Sequence, residues 1–332
     1  MELLQYILLI SPLTLSTALI PKLVPLCLAT ADLVTLPTVQ AFRDPSINQP
    51  PSEALTQRID PLAYLDLLHL IALKCTTCKN DLANFWVAMK LDNVLMMLHR
   101  AQPLAEISRM LELLATSILP TSFGPILPTN TTSTCTASLL QQPKNESSMI
   151  DRLTVLLFET PIVPPSEVPY TQMEILCLRR SVLDLLTLLC HTNHGGHIIA
   201  IHRLAIGRLV RFIHDTVVAV YAYRPATHAL TVSLVNMSVK LLAHLTSVHR
   251  SVVDMRARLN AVPGGSYRHL VGLSRVAFGE SGSGGGTAGK VLSVLEAGID
   301  PDLAEMARRM LDEHLSPEEG DAVMEVFSSA GG

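Results

Sequence analysis

Pro61 to Cys75 reads PLAYLDLLHLIALKC, and this stretch decides the class of fold. Asp60 and Pro61 supply an N-cap and a first-turn proline, and apolar residues then recur three and four positions apart. Similar patterns return at 81–99, 103–119, 148–158, 173–190, 198–221, 229–249 and 267–278, followed by an acidic pair at 301–314 and 317–327. Short β-branched runs lie inside these longer patterns, so the sequence predicts an all-α protein.

The composition favours packed helices. Of the 332 residues, 48% are hydrophobic and 16% are charged, and the apolar residues are mostly Leu with Val, Ile and Ala. Consecutive helices that are apolar on more than one face are typical of a stacked array. We therefore predict a HEAT/armadillo-like helical solenoid, with degenerate repeats because the sequence shows no strict period, and with long disordered loops.

Changes in composition along the chain predict five segments. They are an N-terminal helical array at 1–120, a disordered Ser/Thr/Pro-rich loop at 121–147, a central basic helical array at 148–279, a Gly/Ser-rich loop at 280–290, and an acidic C-terminal helix pair at 291–329. Between residues 200 and 279 there are ten Lys or Arg and two Asp or Glu, a net charge of +8. From 291 to 332 the numbers are two and ten, a net charge of −8.

The basic block contains the candidate partner-binding residues Arg208 and Arg211. They are three positions apart and therefore share a helix face. Nucleic-acid binding would add aromatic residues for stacking or a denser cationic stripe, whereas these arginines alternate with apolar core residues. The common interpretation is a solvated face of a packed helix, and contact with an acidic protein surface is the favoured functional alternative.

The beginning of the chain allows a membrane interpretation. Residues 3–21 carry no charge, and an uncharged run of this length could cross a bilayer. Pro12 and Pro21 interrupt the run, however, and no basic region precedes it. A multi-helix membrane protein is therefore one alternative class, and charges inside later helices, such as Asp66 and Arg109, argue against it. Six scattered cysteines in apolar runs are typical of reduced thiols in an intracellular protein.

A phosphate-binding loop is suggested by Gly284 to Lys290, which fits G-x-x-x-x-G-K. Val291 replaces the Ser or Thr that would hold magnesium, and the preceding segment has helical spacing where a strand is needed. A flexible Gly/Ser linker explains the same residues. We therefore expect no nucleotide cofactor.

Cysteine and histidine residues suggest a metal site, which gives the second alternative class, a zinc-binding helical enzyme. Cys190, His191, His194, His197 and His202 lie close together in the sequence, but a second ligand pair and a nearby carboxylate are missing. The neighbouring Gly195-Gly196 pair is interpreted as a helix C-terminus. Cys75 and Cys78 form a lone C-x-x-C, interpreted as two structural thiols. No catalytic set can be assembled, so we predict no enzyme, no metal and no catalytic residue.

Three long blocks together resemble a known family. They are FWVAMKLDNVLMMLHRAQPLAEISRMLELLATSILPTSFGPI (85–126), RRSVLDLLTLLCHTNHGGHIIAIHRLAIGRLVRFI (179–213) and VLEAGIDPDLAEMARRMLDEHLSPEEGDAVMEVF (294–327). In order and content they resemble the C-terminal region of the fungal branch of the ATR-interacting protein family, whose members are partners of the ATR-type checkpoint kinase.

The resemblance implies a non-catalytic regulatory and scaffold subunit that binds a PI3-kinase-like checkpoint kinase in the nucleus, within DNA-damage signalling and repair. It implies an indirect link to single-stranded DNA coated with replication protein A, through an acidic motif and a coiled coil that lie upstream in the family. The present sequence shows neither feature, so we expect it to be a fragment or a truncated gene model. The resemblance also implies no membrane association, and it leaves a dimer of heterodimers open.

Overall fold

The computed structural model confirms the all-α prediction in the part of the chain that it describes. It describes residues 65, 66, 69, 73, 94, 95, 98, 104–118, 139, 140, 148–159, 170–192, 194–222, 228–249, 258, 261, 262, 270–278 and 299–314. The helices are α1 (Leu104–Ile118), α2 (Met149–Leu156), α3 (Gln172–Cys190), α4 (Gly195–Ile201), α5 (Ala205–Ala222), α6 (His228–Val248), α7 (Leu270–Phe278) and α8 (Pro301–His314). No strand occurs among these residues.

The described residues form two compact units. Those up to 152, together with Tyr170, belong to the first unit, and those at 153–159 and from 171 onward belong to the second. In the first unit, α1 buries an apolar face at the helical spacing predicted from the sequence. The buried side chains are Leu104, Ile107, Met110, Leu111, Leu113, Leu114 and Ile118. The N–H of Leu104, which has no partner within the helix, donates to the Tyr170 hydroxyl at 3.0 Å.

Capping residues determine where α3 begins. The Thr171 hydroxyl accepts a hydrogen bond from the Glu174 N–H at 3.3 Å, and the Glu174 carboxylate accepts one from the Thr171 N–H at 2.7 Å. This capping box satisfies two donors that the first turn leaves without partners. The bond from the Thr171 backbone, followed by its side-chain bond, lowers the pKa of Glu174. The helix ends at Cys190, with His191 as its C-cap.

One predicted helix at 198–221 is wrong, because the structure divides it into α4 and α5. At His202 the backbone is extended, with φ −64° and ψ 124°, while its N–H still bonds to the Ile198 carbonyl at 3.0 Å. The interpretation of Gly195-Gly196 as a helix C-terminus is also wrong, since these residues begin α4. The break allows α4 to contact α3, α5 and α6 in the second unit.

In the second unit, α6 has the most helix neighbours, since it packs against α3, α4, α5 and α8. α5 also packs against α7, and α7 and α8 pack against each other. The approach of α5 and α7 is close at Gly272, where a Cβ would lie 2.4 Å from the Cα of His214. Glycine is needed here because only its missing side chain lets the two backbones come this near.

Buried hydroxyl groups are accommodated within the helices themselves. Ser117 donates to the Leu113 carbonyl at 2.8 Å, and Ser238 donates to the Leu234 carbonyl at 2.7 Å. Both serines are fully buried. A hydroxyl bonded to the carbonyl four residues earlier has its donor satisfied without any other chain segment, so these polar residues fit an apolar core.

Several predictions fall on residues outside the described part. These are the uncharged start at 3–21, the Cys75/Cys78 motif, the glycine stretch at 280–290, and the second acidic helix at 317–327. Within the predicted loop at 121–147 the structure describes Leu139 and Leu140, and both are buried. The five-segment division remains a prediction.

Candidate functional site

The predicted partner-binding residues Arg208 and Arg211 both lie on α5 and turn toward the segment at the end of α2. The Arg208 guanidinium donates from Nη1 to Oγ1 of the buried Thr154 at 2.9 Å. The Arg211 guanidinium lies over the Phe158 ring, 5.4 Å from the ring centroid. The shared face inferred from their spacing is therefore real, and much of it is occupied by contacts within the second unit.

Two phenylalanines and two arginines form a cluster around this point, here called the Arg–Phe cluster (Phe158, Arg179, Arg211, Phe212). The rings of Phe158 and Phe212 meet edge to face, with centroids 6.1 Å apart and planes at 85°. Arg179, from α3, lies 5.9 Å from the centroid of Phe212. Cation–π contacts of this kind are each worth about 0.5–1 kcal/mol where water has access. The cluster therefore joins the turn that follows α2 to α3 and α5.

The charges of the cluster are only partly balanced. Burial lowers the pKa of Arg179, and the nearby Asp215 carboxylate opposes this effect. Asp215 also lies 3.8 Å from Nε of Arg211, and these two side chains are 52% and 43% exposed. Arginine stays protonated in proteins, so two cations share one half-exposed carboxylate. The outer edge of the cluster therefore exposes the Arg211 guanidinium beside its ion-pair partner Asp215.

The Cys/His metal site of the zinc-enzyme alternative does not assemble among the described residues. Cys190 is buried, and burial raises the pKa of its thiol to about 12, so the thiolate that zinc requires is strongly disfavoured. His191 lies at the C-cap of α3 and its ring contacts His244 of α6, while His197 lies on α4 and its ring contacts His249, which follows α6. In the described ranges, no group of three or more His, Cys, Asp or Glu is placed to hold a metal ion.

The sequence did not reveal that His244 of α6 and His249, which directly follows α6, face this region. The His191 and His244 rings are stacked, with centroids 4.7 Å apart and planes at 19°. The His197 and His249 rings meet at 6.0 Å and 64°. The members of each pair are about fifty residues apart, so no local pattern could have shown the pairing.

A polar network in the first unit was also missed. The Nε of Arg109 lies 2.5 Å from Asp66, and its Nη1 contacts Glu112 and lies 3.2 Å from Nδ1 of His69. Burial lowers the pKa of His69, with Glu112 opposing the shift, Arg109 adding to it, and Asp66 opposing it. The sequence signal is charged residues within apolar helical runs, and here Arg109 joins Asp66 and His69 to α1.

One described helix, residues 229–248, is long and apolar enough to cross a membrane, and 56% of its most apolar window is buried inside the protein. A core helix meets the same criteria. This helix is most of α6, which packs against α3, α4, α5 and α8. Its apolar character therefore has an explanation in internal packing.

Comparisons with known proteins match nearly the whole chain. The Rad26-like helical-repeats family model matches residues 26–246, and the Rad26-like C-terminal domain model matches residues 253–327. Among solved structures, the chain is similar to the crystal structure of Myceliophthora thermophila Rad26, residues 373–841, with a TM-score of 0.66 and 27% sequence identity. That alignment covers 95% of this chain and 80% of the other. No curated protein matches at a significant level.

The fold and these matches define a helical-repeat protein, which confirms the predicted solenoid class. Such proteins present extended surfaces to other macromolecules, so a non-catalytic scaffold role is supported in general terms. The chain belongs to the Rad26-like family, with the helical repeats followed by the C-terminal domain.

Proposed function

We propose that the chain is a non-catalytic regulatory and scaffold subunit that binds an ATR-type checkpoint kinase in DNA-damage signalling. The observation that carries the proposal is family membership across both the repeats and the C-terminal domain. The three long sequence blocks that resemble the ATR-interacting protein family lie inside these two regions. The nucleus, where DNA damage is signalled, is the proposed location.

The described helices support a binding role because they have a polar exposed side and an apolar buried side. On α3, Cys177, Arg180 and Asp184 are exposed along one side, while leucines such as Leu178 and Leu185 are buried on the other. Polar outer faces over an apolar core suit an extended contact with another protein, in which affinity comes from area.

Within this surface, the outer edge of the Arg–Phe cluster is the proposed local contact for an acidic patch of the kinase. Arg211 is its most accessible described guanidinium with a ring contact, and its only described carboxylate neighbour at ion-pair distance is Asp215. A partner carboxylate could form a paired hydrogen bond with a guanidinium held in a fixed orientation by the Phe158 ring. Arg208 would act by holding α5 against Thr154.

The test of the general proposal is co-expression of the full chain with an ATR-type kinase, followed by size-exclusion chromatography and mass measurement. We expect a stoichiometric complex that survives physiological salt, because obligate interfaces are large and apolar. The same chain mixed with an unrelated PI3-kinase-like kinase is the specificity control. Separate elution of the chain and the checkpoint kinase would refute the proposal.

The local contact is tested by Arg211→Glu, with Arg309→Glu as the matched control. Both arginines are paired with a carboxylate one helical turn away, Asp215 and Glu305 respectively. We expect Arg211→Glu to weaken the kinase complex and Arg309→Glu to leave it unchanged, both with an intact helical circular-dichroism spectrum. Equal binding by the two variants would show that this edge does not contact the kinase.

Nuclear location and the indirect link to replication protein A are separate parts of the proposal. Fluorescence imaging of the tagged full-length gene product before and after DNA damage tests both, since recruitment produces nuclear foci. A diffuse cytoplasmic signal under both conditions would refute them without affecting the kinase-binding proposal.

A further inference from the structure

The boundary between the helical repeats and the C-terminal domain falls inside the second unit. The family models match the repeats at 26–246 and the C-terminal domain at 253–327. Helices α5 and α6 therefore come from the repeats, while α7 and α8 come from the C-terminal domain. All described residues from 171 onward nevertheless form one compact unit. The contacts across this boundary show what the C-terminal domain does for the repeats.

Both described helices of the C-terminal domain pack on helices of the repeats. Helix α7 packs against α5, helix α8 packs against α6, and α7 and α8 pack against each other. In α7, Leu270, Leu273, Val276 and Ala277 are buried, and Arg275 is half-buried. A helix that is apolar and buried in this way belongs to a core. Helix α7 is thus an interior element that lies between the repeats and α8.

Two glycines lie where the repeats and the C-terminal domain approach each other most closely. At Gly207 of α5, a Cβ would lie 2.5 Å from the Arg258 carbonyl oxygen and would also overlap Cγ2 of Val262. At Gly272 of α7, a Cβ would lie 2.9 Å from the backbone nitrogen of His214 on α5. Gly207 and His214 are seven positions apart and therefore share one face of α5. Such close packing is typical of a protein interior, whereas interfaces between separate domains are more polar.

Polar contacts at α8 supplement this packing. Nε of Arg308 donates to the Ala277 carbonyl at 2.9 Å, which satisfies an acceptor in the last turn of α7. Nζ of Lys240, on α6, lies 4.0 Å from the carboxylate of Asp300, which directly precedes α8. These two side chains are 58% and 41% exposed, so solvent screens their attraction and the ion pair contributes little. The apolar packing of α7 and α8 is therefore the main connection to the repeats.

Helix α8 has one buried side and one mainly charged exposed side. Leu303, Ala304, Ala307, Met310 and Leu311 are buried. The exposed residues are Pro301, Asp302, Glu305, Met306, Arg308, Arg309, Asp312 and Glu313. The terminal unit of a solenoid needs a polar outer face, because no further repeat covers it. Helix α8 has this pattern.

We propose that the C-terminal domain is the end cap of the helical-repeat array, in which α7 completes the core of α5 and α6 and α8 closes that core with its charged side outward. The domain therefore folds and unfolds together with the repeats of the second unit. Since α5 also carries Arg208 and Arg211, the cap stabilises the helix that presents them. Loss of the cap would disturb the Arg–Phe cluster, although every residue of that cluster precedes the C-terminal domain.

Native-state hydrogen exchange of the full chain at low urea concentrations tests the proposal. We expect the slowest amides of α7 to have the same protection factors as those of α5 and α6, and the same dependence on urea. The reason is that all of them become accessible only when the whole unit unfolds. A separately folded C-terminal domain would give α7 a lower protection and a weaker dependence on urea while α5 stays protected. That result would overturn the proposal.

A buried and an exposed position on α8 provide a matched pair of variants. Leu303 is fully buried, whereas Met306 is 38% exposed. Leu303→Ala should lower the protection of the slowest amides in α5 and α7 by the same factor, roughly thirtyfold or more, as expected for loss of a buried leucine side chain. Met306→Ala should leave both near the wild-type value. A loss of protection in α7 and α8 with α5 unchanged would refute the cap.

The converse substitution lies in the repeats. Leu183 of α3 is fully buried, and Leu183→Ala should lower the protection of α7 by the same factor as that of α5. Unchanged protection of α7 would show that the C-terminal domain folds separately. The wild-type measurement decides the question if either alanine variant does not fold. These experiments concern the chain alone, so their outcome leaves the kinase-binding proposal unaffected.

Discussion

Replacing Gly272 by alanine tests the packing of the second unit most directly. The added Cβ would lie 2.4 Å from Cα of His214 and 2.9 Å from its backbone nitrogen, so backbone atoms of α5 would have to move. Overpacking of this kind costs about 1–3 kcal/mol. The gain from replacing glycine by alanine within a helix is at most about 1 kcal/mol. We therefore expect a net loss of roughly 1–2 kcal/mol in the free energy of unfolding.

Urea denaturation followed by circular dichroism measures this change. The midpoint should fall while the slope of the transition stays constant, since the surface exposed on unfolding is unchanged. Cys177→Ala is the control, because Cys177 is exposed in the middle of α3 and alanine there meets no backbone. If Gly272→Ala is as stable as the wild type or more stable, the helices do not approach as closely as described, and the reasoning fails.

Three further predictions concern single side chains. Thr171→Ala should lower the free energy of unfolding by about 1 kcal/mol, measured by urea denaturation, because it removes the cap of α3. Thr171→Ser should retain the cap and the stability, and an unchanged stability of the alanine variant would contradict the capping role. Iodoacetamide at pH 8 should label Cys177 in the native chain well before Cys190, whose pKa is raised to about 12 by burial, and mass spectrometry of digests would show the reverse order if the burial were wrong. Arg109→Met should lower the free energy of unfolding by roughly 1 kcal/mol, measured by thermal denaturation. The effect is this small because the side chains of Arg109 and of its two acidic partners are about one-third exposed, so solvent screens their charges. An Arg109→Met variant that is more stable than the wild type would show that the network does not stabilise the fold.

Helix boundaries were predictable where capping chemistry is local. The α8 helix begins at Pro301 as the Asp300-Pro301 pair predicts, and the end of α3 at Cys190 was also predicted. The break at His202 was not predictable, because residues 198–221 have helical spacing throughout and contain no proline. Its cause is the packing of α4 on three other helices, which a local pattern does not contain.

The candidate site shows the same division between local and distant information. That Arg208 and Arg211 share a face follows from their spacing, but their partners Thr154 and Phe158 lie more than fifty residues earlier. The Cys/His alternative does not form a metal site among the described residues, because adjacency in sequence does not bring donor atoms together. The rings of His191 and His197 instead contact His244 and His249, which lie about fifty residues later in the sequence.

The large sequence separation of Arg208 and Thr154, which form a hydrogen bond, has a consequence for folding during synthesis. The two residues are separated by 54 positions, and the edge-to-face phenylalanine pair spans the same distance. A ribosome adding about 5–20 residues per second needs roughly 3–10 seconds to deliver α5 after the end of α2 has emerged. During that interval Thr154 and Phe158 are without their α5 partners Arg208, Arg211 and Phe212. The Arg–Phe cluster can therefore form only after α5 has left the ribosome.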